Sequence, residues 1–196
     1  MSVLVFDVET TGLPMRESLY KRIPDPIKYE LYNEARIVEL AYKMYDENNA
    51  LVKAVSVLIK PEFTIQNTHI HGITQKMATD FGTRIDLVLA HFIIDMDQVD
   101  CIVSHNIEFD KNIVLAEMWR IVAGDNVQNI NFLDIAALVN KKAVCTMKWG
   151  QKKLGYLKYP KLVDLYRTLC GSSWTQDHRA LDDVDKCAQC YFKLNE

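Results

Sequence analysis

The 196-residue chain is short of most features that mark specialised protein classes. Its 7 glycines and 5 prolines are too few and too scattered for a collagen or for a low-complexity linker. Long apolar runs are missing: residues 3–6 and 113–116 are stretches of four, where a transmembrane helix needs about 20. Asp7 and Glu9 interrupt the N-terminus before a signal peptide's apolar region could form. An intracellular, cytoplasmic protein without a membrane partner is therefore expected. A surplus of positive charge is also missing, since 23 basic and 26 acidic residues leave a net charge of −3. This excludes the broad basic footprint of a duplex-wrapping protein. It leaves room for one that grips a few nucleotides at a chain end. The five cysteines are odd in number and lack framework spacing, which favours a reducing compartment. Cys187 and Cys190 form a C-x-x-C without a second pair to complete a zinc site. They recur at helical spacing beside Val184, Ala188 and Tyr191, so they are read as a buried core pair.

What is present is an ordinary globular composition, 49% hydrophobic and 25% charged, in a chain long enough to bury a core without staples. One domain over 1–196 is expected. Residues 2–9 read as a buried central strand, followed by strands over 36–45 and 51–60 joined at a turn over 46–49. Thr83 is placed to cap a helix carrying Ile85, Leu89, Phe92 and Ile93 on one face. Residues 101–104 read as a short strand leading into a helix over 107–123, with further helices over 131–140, 160–170 and 179–194. The order implies an α/β fold, a mixed central sheet flanked by helices.

Carboxylates stand out against this pattern. Asp7 and Glu9, two apart near the end of the first strand, project from one face. Such pairs occur by chance, but two acids closing a strand buried on both faces repel each other unless a cation neutralises them. On the last helix, Asp183 falls inside the apolar stripe of Ala180, Val184, Cys187, Ala188 and Tyr191, whereas Asp182 lines up with the polar face. A carboxylate on a buried helix face needs a partner, and no Lys or Arg shares the stripe. Asp110 repeats the logic three and four residues before Ile113 and Val114, although an Asp near a helix N-terminus can also simply meet the dipole. Four such acids suit a hard, oxygen-preferring cation, Mg²⁺ or Mn²⁺. His178, five residues before Asp183, has the chemistry of a general base near neutrality.

These residues carry a family resemblance. Phe6-Asp7-Val8-Glu9-Thr10-Thr11-Gly12 resembles the first motif of the DnaQ-like 3′–5′ exonucleases, and Ser104-His105-Asn106-Ile107-Glu108-Phe109-Asp110 the second. His178-Arg179-Ala180-Leu181-Asp182-Asp183 matches the third in its H-x-A-x-x-D form, which marks the DEDDh branch. Ile70-His71-Gly72-Ile73-Thr74 is similar to the segment lining that family's terminal-nucleotide pocket. The resemblance implies an RNase H-like sheet and a site in which Asp7, Glu9 and Asp183 ligate two cations, with Asp7 bridging them and Asp110 completing the site. It makes His178 the acceptor of a proton from the attacking water. It implies that cations about 4 Å apart clamp the attacking and leaving oxygens, releasing nucleoside 5′-monophosphates from a 3′ end. It further implies that Thr10, Thr11, Gly12 and Leu13 hold the terminal sugar, with Leu13, His71, Ile73, Asn106 and Phe109 around the last base and phosphate. Single-stranded DNA ends are the favoured substrate. RNA ends, a polymerase or other protein partner, and a non-catalytic nuclease-like binding module stay open. A structural metal centre on His69, His71 and cysteines lacks a fourth ligand.

Two stretches exceed what those motifs need. Residues 14–35 form a long loop insertion after the first motif, with Pro14, Pro24 and Pro26 and the bases Arg16, Lys21 and Arg22, and are expected to cover the site entrance or dock a partner. Residues 135–163 hold seven lysines and no acid, interleaved with Trp149, Tyr156 and Tyr159. That stretch is expected either to track a phosphate backbone or to be a solvated basic surface.

Overall fold

The computed structural model describes residues 1–16, 23–124, 129–172, 174 and 179–196. Strands β1 (Val3–Thr10), β2 (Ile37–Tyr45), β3 (Leu51–Leu58), β4 (Cys101–Ser104) and β5 (Ala143–Cys145) form one sheet in the order β3-β2-β1-β4-β5. β1 is antiparallel to β2 and β2 to β3, while β1–β4 and β4–β5 are parallel. The central position expected for the first strand follows from its composition. It is apolar on both faces because both are covered.

The alternation along β1 decides the rest. Leu4, Phe6 and Val8 face a core shared with helices α3 (Ile85–Asp97), α4 (Ile107–Ala123) and α5 (Phe132–Asn140). Val3 and Val5 face the opposite core, built with α7 (Leu162–Cys170) and α8 (Ala180–Asn195). Two short helices, α1 (Thr68–His71) and α2 (Gln75–Phe81), follow β3, and α6 (Thr146–Leu154) follows β5. Cys187 and Cys190 are buried, unpaired core residues, as expected. No described helix is long and apolar enough to cross a membrane.

One local expectation changes, and two stretches take on defined structure. Thr83 does not cap α3: its backbone extends the sheet edge, donating to Leu58 O (2.8 Å) and accepting from Lys60 N (2.9 Å), so Arg84 takes the cap position. The 135–163 stretch supplies an edge strand, β5, and α6. The described part of the 14–35 insertion is anchored, with Tyr32 wholly buried, its hydroxyl on Pro24 O (2.5 Å), and Arg120 donating to Tyr29 O (2.8 Å). Residues 17–22, with Lys21 and Arg22, lie outside the described residues.

Candidate active site

Because strand side chains alternate, the face that buries Val3 and Val5 continues as Asp7 and Glu9 at the C-terminal end of β1. In register, Asp7 lies beside Ala41 and Glu9 beside Glu39 of β2. Helix α8 packs across this face on its stripe of Ala180, Val184 and Cys187, which buries Asp183 to 6% exposure. The result is a cluster in which one carboxylate oxygen from each of Asp7, Glu9 and Asp183 lies within 4.8 Å of the others. Asp110 reaches the same strand end from the first turn of α4. It accepts from Ser104 Oγ (2.5 Å) and from the backbone of Val8.

Placing these acids together is costly. Asp7 is pushed well above the ordinary carboxylate range, by burial first and then by the charges of Asp110, Asp183, Glu9 and Glu39. Glu9 is pushed up to about 8, by burial and then by Asp183. Asp110 is raised to about 7 by burial, against the stabilising hydrogen bond from Ser104. Burial and mutual repulsion are both offset by a cation bound among the carboxylates. Arg179, the base that acts on Glu9, is already committed: its guanidinium makes two bonds to Glu39, at 2.8 and 3.0 Å. An all-oxygen, desolvated, mutually repelling set fits a hard divalent cation. Asp7, Glu9 and Asp183 are the residues able to hold it, and Asp110 stands beside them.

The motif turn is tied down from outside the motif. Thr10 Oγ1 donates to Gly12 O (2.8 Å), and Thr11 Oγ1 donates to Glu34 O (2.8 Å) while accepting from Arg36 N (2.9 Å). Asn67 Nδ2 donates to Thr11 O (2.6 Å). A Cβ at position 12 would meet the Glu34 carbonyl at 2.8 Å, so glycine is required there by close approach. Leu13 stands 70% exposed at the end of the turn. Asn106 starts α4 from a left-handed conformation (φ 77°) without capping it, and Phe109 is half-buried against the core. His71 is buried, and its Nδ1 accepts from Ile73 N (3.0 Å), which leaves Nε2 as the N–H when the ring is neutral; burial lowers its pKa. Ile73 itself is enclosed in a small core with Val38, Ile65 and Ala78, and it meets His71 through its backbone N–H. His178 lies outside the described residues.

Glu39 is the residue of this site that sequence reasoning missed. It is fully buried beside Glu9, and besides Arg179 it accepts from Ala180 N (3.2 Å) and Ser56 Oγ (2.9 Å). It therefore fastens the start of α8 to β2 and β3. These bonds hold its pKa below the ordinary glutamate value although burial pushes the other way. The signal was available, because Glu39 interrupts the otherwise apolar opening of β2, Ile37-Val38-Glu39-Leu40-Ala41.

The family model described as RNase_T, exonuclease, matches residues 4–191. No curated protein sequence matches. The fold is similar to Escherichia coli exonuclease I in complex with a dT13 oligonucleotide (TM-score 0.67, 18% identity) and to the zinc-bound form of its single-stranded DNA complex (0.66, 17%). It is also similar to a moderately thermophilic exonuclease I from Methylocaldum szegediense (0.64, 17%). Each likeness covers 98% of this chain and 40% of the other, so the chain spans well under half the length of those proteins. With a family match over nearly its whole length and the acids of all three motifs gathered at one strand end, the chain belongs to the RNase T-type exonuclease family, as a DnaQ-like DEDDh member of the RNase H-like superfamily.

Proposed function

We propose that this chain is a divalent-metal-dependent 3′–5′ exonuclease that trims single-stranded DNA and releases nucleoside 5′-monophosphates. The observation that carries the reading is the Asp7–Glu9–Asp183 cluster, whose carboxylate oxygens lie within 4.8 Å of one another at the C-terminal end of β1. Two Mg²⁺ or Mn²⁺ ions bound there would supply charge for the attacking and leaving oxygens and lower the pKa of the attacking water.

The chain's own residues do the rest. Asp7, Glu9 and Asp183 offer the ligating oxygens, and Asp110 orients the site through its bond from Ser104. The backbone of the 10–13 turn, held by Asn67 and Arg36, receives the terminal sugar. Leu13, Asn106, Phe109 and His71 border the terminal base and phosphate, with low sequence preference because every base has a stacking face. His178 accepts the proton of the attacking water at its imidazole. The preference for DNA is supported by the likeness to exonuclease I bound to deoxyoligonucleotides.

The test is product release from 3′- and 5′-labelled single-stranded DNA and RNA with Mg²⁺, Mn²⁺ or EDTA, beside Asp183→Ala. Metal-dependent laddering from the 3′ end, faster on DNA and lost in the variant, is the expected result. Faster turnover of RNA would make the enzyme an exoribonuclease. No turnover of either polymer by a folded protein that binds them would make it a non-catalytic module.

A further inference from the structure

The lysines of the 135–163 stretch do not form one surface, because the fold uses four of them. Lys141 Nζ donates to Val99 O (2.5 Å), Lys153 to Leu194 O at the end of α8 (2.7 Å), Lys148 to Glu108 (3.1 Å), and Lys142 to the Met1 sulfur (3.4 Å). Lys152, Lys158 and Lys161 are exposed, and their ammonium groups make no hydrogen bond or ion pair among the described residues. Two of these three fall in the segment 155–161.

That segment is held at both ends and open in the middle. Gly155 launches it from α6 in the left-handed conformation (φ 70°). The Tyr156 hydroxyl then bonds Thr168 Oγ1 (2.5 Å), and Pro160 O bonds His105 Nε2 (3.1 Å). Between these anchors Leu157 is 100% exposed and Tyr159 55% exposed, flanking Lys158. His105 is itself fixed by Thr146 Oγ1 at Nδ1 (3.0 Å), and it follows Ser104, the residue that bonds Asp110. Because β1 and β4 are parallel, the end of β4 and the acidic end of β1 lie at one edge of the sheet. The His105 strut thus ties the open segment to the end of β4, where the chain runs on into Asn106 and the first turn of α4.

We propose that Leu157, Lys158, Tyr159 and Lys161 form a platform for the single strand of DNA lying 5′ of the terminal nucleotide, a proposal that rests on the nuclease reading above. A wholly exposed leucine beside an exposed tyrosine is a surface poorly suited to water and well suited to base faces. The lysines add phosphate affinity without an acid in the segment to compete. The platform makes the enzyme prefer strands several nucleotides long over dinucleotides.

The experiment uses the full chain and two probes, 5′-fluorescein-dT20 for binding in EDTA and the rates of dT20 against the dinucleotide dT2 with Mg²⁺. Lys158→Ala/Lys161→Ala should weaken dT20 binding about tenfold and flatten the plot of log Kd against log salt by about 1.4, the loss of two phosphate contacts on a single strand. Tyr159→Ala should weaken it by roughly tenfold with the salt slope kept. Both variants should lower the dT20-to-dT2 rate ratio by about tenfold, and Lys142→Ala, on the amino-terminal methionine, should do neither. Wild-type binding and salt slope in the lysine variant, or an equal fall in both rates, would overturn the platform. If the wild type bound dT20 through these residues but cleaved neither probe, the platform would stand and the nuclease reading would fall.

Discussion

Replacing Glu9 by Gln should abolish catalysis and yet make the metal-free protein more stable. Glu9 has its carboxyl raised from an ordinary 4.5 to about 8, so the folded state holds a proton that the unfolded chain has released. Where the native state binds more protons, stability falls as pH rises. Glu9 therefore costs nothing below about pH 4.5, and its penalty grows through that window until about pH 8. Each pKa unit is worth about 1.4 kcal/mol, so the ceiling on its cost at pH 7 is about 3 kcal/mol. For a chain of this size one kcal/mol moves Tm by about 2–4 °C, so Glu9→Gln should raise Tm by up to about 10 °C at pH 7 in EDTA. Variant and wild type should converge near pH 4.5. Mg²⁺ should stabilise the wild type more than the variant, because binding to the folded state alone adds stability. The assay is thermal unfolding at several pH values in EDTA and in Mg²⁺. A variant that melts at or below the wild-type temperature in EDTA at pH 7, or gains as much from Mg²⁺, would refute the reasoning.

Three further outcomes follow from particular contacts. Glu39→Ala leaves Arg179 and the buried Ala180 N–H without their acceptor at the start of α8, and should cost about 1–3 kcal/mol in urea unfolding; a coupling energy near zero in a double-mutant cycle with Arg179→Ala would contradict it. At Gly150 a Cβ would stand 2.6 Å from Leu165 Cδ1 between α6 and α7, so Gly150→Ala should destabilise by about 1–3 kcal/mol, read as a lower denaturant midpoint at constant slope. Asn67→Ala removes the bond to Thr11 O and should raise KM for single-stranded DNA several-fold with little change in global Tm, since the turn it braces is local.

Much of the fold is legible in the chain because its signals are local. Strand β4 and helix α4 lie at the residues where apolar pattern and turn chemistry place them. The three-residue strand β5 escapes because it is too short to show a period and is defined by its pairing with β4. Helix α6 escapes because its lysines read as solvent surface, while its buried contacts are Thr146 and Gly150, residues with no apolar signature. Thr83 has the chemistry of a cap, but the edge of β3 offers its backbone a better set of partners.

By itself the sequence determined the acids. Asp7 and Glu9 share a face through strand alternation, and Asp183 lies on a buried helix stripe through helical periodicity; both are properties of one element. Only the tertiary structure decided that these faces meet, with three carboxylates within 4.8 Å, because that depends on α8 packing across β1 and β2. It likewise decided that Glu39 fastens α8 in place, and which lysines are spent on the fold and which face outward. Those choices join residues as far apart as 39 and 179, or 105 and 160, and no local pattern records them.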